Sequence, residues 1–258
     1  MSAVTVERDG PLAVLTHAEP PVNLWTEDTV RAWGDAVAQL EADPPRAALL
    51  RAEGKIVSGG VDVHKFAETA DGAAGRELWR EWLGLSQRVE ALPFPTVFAA
   101  HALCLTASFE LSLACDVLLA AEKASFGLVE RVVGLTPAMG GTQRLVERAG
   151  PARAREFVYT GARYDAATLE RWNVVNRVLP DEGFDEAARA FAMDLANGPT
   201  VAMRATKTIV RAALQGGVHE ADATTIEVAG DLFDTEDLRN AVRSFLADGP
   251  GKATFEGR

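Results

Sequence analysis

Residues 95–134 read PTVFAAHALCLTASFELSLACDVLLAAEKASFGLVERVVG. PTVFAAH is a short apolar run with β-branched and aromatic residues, a strand. A loop of small residues follows, then SFELSLAC as a helix and DVLLAA as a second strand. Strand, loop, helix, strand within forty residues predicts an α/β fold. Two carboxylates sit oddly in this stretch. Glu110 lies between Phe109 and Leu111, and Glu130 is flanked by Leu128, Val129, Val132 and Val133. Carboxylates in apolar company are costly, so each needs either a structural partner or a task. Arg131 and Arg144 are the cations that could neutralise them.

The same rhythm extends to both sides. VTVERDGPLAVLTH alternates around Asp9-Gly10-Pro11 and predicts a hairpin. A helix is expected after Thr26 as N-cap, with Val30, Trp33, Val37 and Leu40 on one face. RAALLRA predicts a buried strand, GKIVSGGVDVHKF a loop that turns into a short helix, and RELWREWLGLSQRVEAL an amphipathic helix stopped by Pro93. Downstream, GGTQRLVERAG and PARAREFVYTG read as helices closed by glycine, and NVVNRVL as a strand. After Pro180 the pattern is almost wholly helical. The expected organisation is an α/β core over residues 1–195 and a helical region over 196–258, with no low-complexity linker between them.

The 258 residues carry a formal charge of −11, which argues against sequence-independent binding to nucleic acid or to an anionic membrane. No apolar run is long enough to span a bilayer. The start, MSAVTVERDG, lacks a basic segment followed by an apolar one, so a cytoplasmic location is expected. Cys104 and Cys115 lie in apolar stretches without CxxC spacing and read as small buried hydrophobes. His17, His64, His101 and His219 have no ligand-like spacing, so no metal is expected. Phosphate-loop, dinucleotide, nucleophile-elbow and HExxH patterns are absent from the sequence, and Ser108 has no evident base.

What remains is the two glutamates and two loops of small residues, VSGGVD at 57–62 and LTASFE at 105–110. Small residues let backbone N–H groups approach a ligand, and two such loops can supply a pair of donors to a developing oxyanion. Two buried glutamates beside that pair fit proton transfer at carbon.

These residues resemble the enoyl-CoA hydratase/isomerase (crotonase) family along nearly the whole chain. The matching stretches are PPVNLW, GKIVSGGVD, the segment 95–145, YTGARYDA, VVNRVLP and GPTVAMRATK. The resemblance implies a spiral of repeated ββα units with a C-terminal helical region, assembled as a trimer or a dimer of trimers. It also implies an acyl-CoA thioester substrate, with CoA part of the substrate and no separate cofactor.

By the same resemblance, Glu110 and Glu130 are the catalytic pair. The N–H groups of Val61 and Ala107 form the oxyanion hole, and Gly59, Gly60, Asp62, Val63, His64 and Ala138 bind substrate. Keeping both acids favours hydration of a trans-2-enoyl-CoA to a 3-hydroxyacyl-CoA, as in fatty-acid β-oxidation, over double-bond isomerisation. A non-catalytic acyl-CoA-binding protein is the other alternative.

The chain departs from the family pattern at several points. Thr106-Ala107-Ser108 stands where three glycines are usual, His101-Ala102 where asparagine–glycine is usual, and Val129 where proline is usual. A basic pair near the C-terminus is lacking, with only Lys252 and Arg258 there. A Cβ at 106–108 predicts strain wherever positive φ is required.

Overall fold

The computed structural model describes residues 3–258. Met1 and Ser2, at the head of the expected core, lie outside the described residues. The elements run β1 (Val4–Asp9), β2 (Leu12–His17), β3 (Leu24–Trp25), α1 (Glu27–Ala42), β4 (Ala47–Ala52), β5 (Gly60–Val61), α2 (His64–Glu68) and α3 (Gly72–Ala91). Next come β6 (Thr96–Ala100), β7 (Cys104–Leu105), α4 (Ala107–Leu113), β8 (Val117–Ala121), β9 (Ser125–Gly127), a 3-10 turn (Glu130–Val133) and α5 (Gly141–Thr160). The chain finishes with β10 (Arg163–Asp165), α6 (Ala166–Arg171), β11 (Arg177–Leu179), α7 (Phe184–Asn197), α8 (Thr200–Asp231), a second 3-10 turn (Leu232–Asp234) and α9 (Glu236–Asp248).

β1 pairs antiparallel with β2, and β2, β4, β6, β8 and β11 follow in parallel order. Each turn of the chain adds one long strand to this sheet. It then lays a short strand beside it, β3 against β5, or β7 and β9 with β10, before a helix returns. This is the expected spiral of ββα units.

The sheet is buried on both faces because its strands alternate between two cores. In β4, Ala48 and Leu50 point into the main core with Trp33, Trp82 and Phe98, while Ala47 and Leu49 point to the other face. There α7 closes the sheet with Phe184, Ala188, Ala192 and Ala196, spaced by four along one stripe. The expected boundary at residue 195 falls inside this helix.

α1 begins where expected: the Thr26 hydroxyl accepts the Thr29 N–H at 3.2 Å in a reciprocal box with the Thr29 side chain. The two glycine-closed helices at 140–161 share α5, broken at Gly150 with φ 79°. No helix among the described residues is long and apolar enough to cross a membrane.

Candidate active site

Three turns of the spiral meet at one cleft. β7 ends at Leu105, and the chain reverses at Thr106 into α4. Thr106 adopts φ 49°, ψ −121°, a conformation that costs a β-branched residue roughly 1–3 kcal/mol. The strain expected for 106–108 is thus located at residue 106, since Ala107 and Ser108 are already helical. The reversal places the first N–H groups of α4 and, one turn on, the Glu110 side chain at the cleft.

Opposite, β5 carries Gly60 and Val61, and Trp25 of β3 pairs with Val61. Ser58 pins this strand: its hydroxyl donates to Asn23 O at 2.8 Å and accepts from Gly60 N at 3.0 Å. Gly60 has φ 110°, and a Cβ there would lie 3.2 Å from Thr106 Oγ1. Glycine is required both by conformation and by this close approach.

Glu110 is 3 % exposed. One of its oxygens accepts the Met139 and Gly141 N–H groups, each at 2.8 Å. Gly141 can come that close only without a side chain, because a Cβ would meet Glu110 Cγ at 2.7 Å. Glu130 opens the 3-10 turn after β9, which Gly134 closes in the left-handed region at φ 73°. One Glu130 carboxyl oxygen is buried with no hydrogen-bond partner.

Among the described residues neither glutamate forms a direct ion pair, and Arg131 and Arg144 place their hydrogen bonds elsewhere. Arg131 donates to the carbonyls of Tyr159 and Thr160 at the end of α5, and Arg144 pairs with Glu90 at 2.7 Å. A direct ion pair with Arg131 or Arg144 therefore does not account for the two carboxylates, and only the charge of Arg144 reaches Glu110.

Burial pushes the Glu110 carboxyl up to about 7, against the pull of the Gly141, Met139 and Ala138 N–H groups and the Arg144 charge. Glu130 is pushed up to about 8, first by burial and then by the negative charge of Glu110. The backbone donors favour the charged form of Glu110, and its charge in turn opposes ionisation of Glu130.

The two carboxylates line one cleft of about 210 Å³ with Gly59, Gly60, Val61, Val63, Ala107 and Ala138. Its apolar wall is Phe66, Trp79 and Trp82, with Trp79 and Trp82 edge to face at 5.9 Å. Of the positions named from the sequence, Asp62 and His64 lie outside this lining. They turn to solvent and bond to each other, Asp62 Oδ1 to His64 Nδ1 at 2.7 Å.

The sequence reading missed Met139 and Gly141 as the donors that hold Glu110. The adjacent glycines at 140 and 141, opening a helix, were the available signal. Among the described residues no group of three or more His, Cys, Asp or Glu could hold a metal ion.

A model of the enoyl-CoA hydratase/isomerase family matches residues 7–258. This chain belongs to that family. It is 30% identical over 246 residues to a probable enoyl-CoA hydratase of Mycobacterium tuberculosis, covering 94% of each chain. It is 35% identical over 219 residues to a carnitinyl-CoA dehydratase of Salmonella typhimurium, covering 83% of this chain and 82% of that one. Among solved structures, an enoyl-CoA hydratase subunit of Geobacillus kaustophilus superposes with a TM-score of 0.90 at 30% identity, covering 99% and 98%. The crotonase fold places the small-residue loops of β5 and α4 on either side of the cleft, with both glutamates between them.

Proposed function

We propose that this family member is an enoyl-CoA hydratase acting on trans-2-enoyl-CoA thioesters. The observation that carries the reading is the pair of carboxylates on one cleft, Glu110 buried and gripped by backbone N–H groups, Glu130 half-buried with one carboxyl oxygen that has no hydrogen-bond partner. Glu110, as the carboxylate, takes a proton from water as the oxygen attacks C3. The electrons of the double bond move to the thioester, whose oxygen is held by the Val61 and Ala107 N–H groups. Glu130 gives its proton to C2. One water is consumed, and the pair ends with its proton exchanged from one carboxyl to the other. The Ala138 N–H helps place the water, and CoA arrives and leaves with the substrate.

The names of the two relatives, a hydratase and a dehydratase, describe water addition and its reverse, and they support this class of chemistry. The test is a panel of enoyl-CoAs of rising chain length, followed by loss of the conjugated thioester absorbance and by product mass. A product heavier by one water is expected. An isomer of unchanged mass would move the chemistry to double-bond migration, and no turnover on any chain length would leave acyl-CoA binding alone.

A further inference from the structure

Arg144 lies in the first turn of α5, 5 % exposed, within the shell around the catalytic cleft but not on its lining. A buried guanidinium is expensive unless its position is fixed by partners. Here Nη2 donates to Glu90 Oε2 of α3 at 2.7 Å, and Nη1 donates to Gly140 O at 3.2 Å. Gly140 has φ 101°, and any Cβ there would collide with Arg144 Nη1. The next residue, Gly141, gives its N–H to Glu110 at 2.8 Å. The guanidinium is therefore stacked behind the peptides that grip Glu110, and Glu90 holds it from the far side.

The other elements packed around Glu110 supply no second cation. The 3-10 turn brings Glu130 and Arg131, whose guanidinium is turned to the Tyr159 and Thr160 carbonyls, and β5 has no titratable side chain. β7 brings Cys104, whose thiol burial pushes up to about 12 and keeps uncharged. On α3, Arg76, Glu77, Arg80 and Glu81 are exposed, and Arg88 is engaged with Glu41 of α1 at 2.8 Å. Arg148 of α5 binds the carbonyls of Leu113 and Cys115 beyond the far end of α4.

We propose that Arg144, clamped by Glu90, is a positioning residue that makes Glu110 the anionic member of the pair and leaves the proton on Glu130. Its catalytic meaning rests on the hydration reading above; the placement of the charge does not. The test therefore begins without substrate, by NMR titration of isotope-labelled glutamate carboxyls, with Glu110 assigned from the signal lost in Glu110→Gln.

In Arg144→Gln the Glu110 midpoint is expected to rise by about one unit or more, the size typical of losing a nearby opposite charge. Arg144→Lys, which keeps the charge, is expected to hold it within about half a unit of the wild type. In Glu90→Gln the amide oxygen still accepts from Nη2 but no longer neutralises it, so the midpoint is expected to fall. An unmoved midpoint in Arg144→Gln, or a lysine variant that behaves like the glutamine one, overturns the proposal. If Arg144→Gln does not fold, Glu90→Gln decides, and a midpoint there that stays or rises overturns it. The acid limb of the kcat profile is expected to follow the NMR midpoint. A midpoint that moves while the profile stays supports the role of Arg144 and overturns that of Glu110 as base.

Discussion

Replacing Glu110 or Glu130 by glutamine removes a proton-transfer group and keeps the side chain's volume. At Glu110 the amide oxygen can still accept from Met139 and Gly141. Each variant is expected to lower kcat by at least about 10²-fold, the lower range for lost general acid–base catalysis. A folded variant with near-normal hydration removes that residue from the mechanism. The proposed mechanism needs Glu110 ionised and Glu130 protonated, so a bell-shaped profile is expected with both limbs above the ordinary glutamate range, where burial raises both carboxyls. Activity falls on the acid limb as Glu110 gains a proton and on the alkaline limb as Glu130 loses one.

The same shifts carry a sign for stability. Both carboxyls bind protons more tightly folded than unfolded, so stability is lost as pH rises from the ordinary glutamate range through about 7 and about 8. Glu130→Gln is expected to lose less stability than the wild type between pH 6 and pH 9, roughly the interval that spans its titration, as read from urea midpoints. Equal losses would show that the buried Glu130 carboxyl titrates normally. At Thr106 the expected gain is conformational: Thr106→Gly relieves a positive φ. Relief of roughly 1–3 kcal/mol outweighs the cost of about 0.5–1 kcal/mol for a freer unfolded chain. A lower urea midpoint in Thr106→Gly would mean that packing of the threonine against Gly60 is worth more than the strain.

At the scale of the element, the helices and long strands were legible because each shows its full period. β4 and β6 are apolar runs that each follow a proline, and α1 shows both its cap and its stripe. The short strands β3, β5, β7, β9 and β10 were not legible, because two or three residues are too few to show alternation. They exist only because the long strands beside them fix the chain's path, and they include the strand that carries Val61. α3 starts at Gly72, four residues before the expected Arg76, because the Asp71 side chain caps it by accepting from Ala73 and Ala74. β11 is shorter than NVVNRVL predicts: Asn173 takes φ 62°, and Val174 and Val175 are buried in a turn instead. α7 offers an element-scale test. Ala192 is fully buried against the sheet, so Ala192→Phe overpacks that face and is expected to destabilise by about 1–3 kcal/mol. An unchanged unfolding midpoint would show that α7 is free to lift from the sheet.

At the scale of the whole molecule, the last sixty residues carry two apolar stripes, Ile226, Ala229, Leu232 and Phe233, then Leu238, Ala241, Val242 and Phe245, and the sequence alone does not say what covers them. Folding back onto the same chain was one solution. The structure does not use it for the largest side chains: Ile226 is 73% exposed, Phe233 74% and Phe245 58%. Val242 and Leu246 on α9 are also exposed, as are Val210, Leu214 and Val218, spaced by four along α8. Isolated exposed hydrophobics are ordinary, but large ones recurring along consecutive helices mark a surface made for association. The net charge of −11 opposes close approach of copies at long range, and salt screens that repulsion within about 10 Å at 0.1 M. Burial of the apolar faces, which salt does not weaken, is then the driving force. Exposed faces of this kind fit the trimer or dimer of trimers that the family resemblance implies, and that assembly is expected in solution. Light scattering at micromolar concentration should give about three or six times the mass of one chain. Phe245→Asp combined with Ile226→Asp, neither of which lines the cleft, should shift the population towards smaller species. A wild type that scatters with the mass of a single chain would refute the assembly and leave these side chains exposed to water.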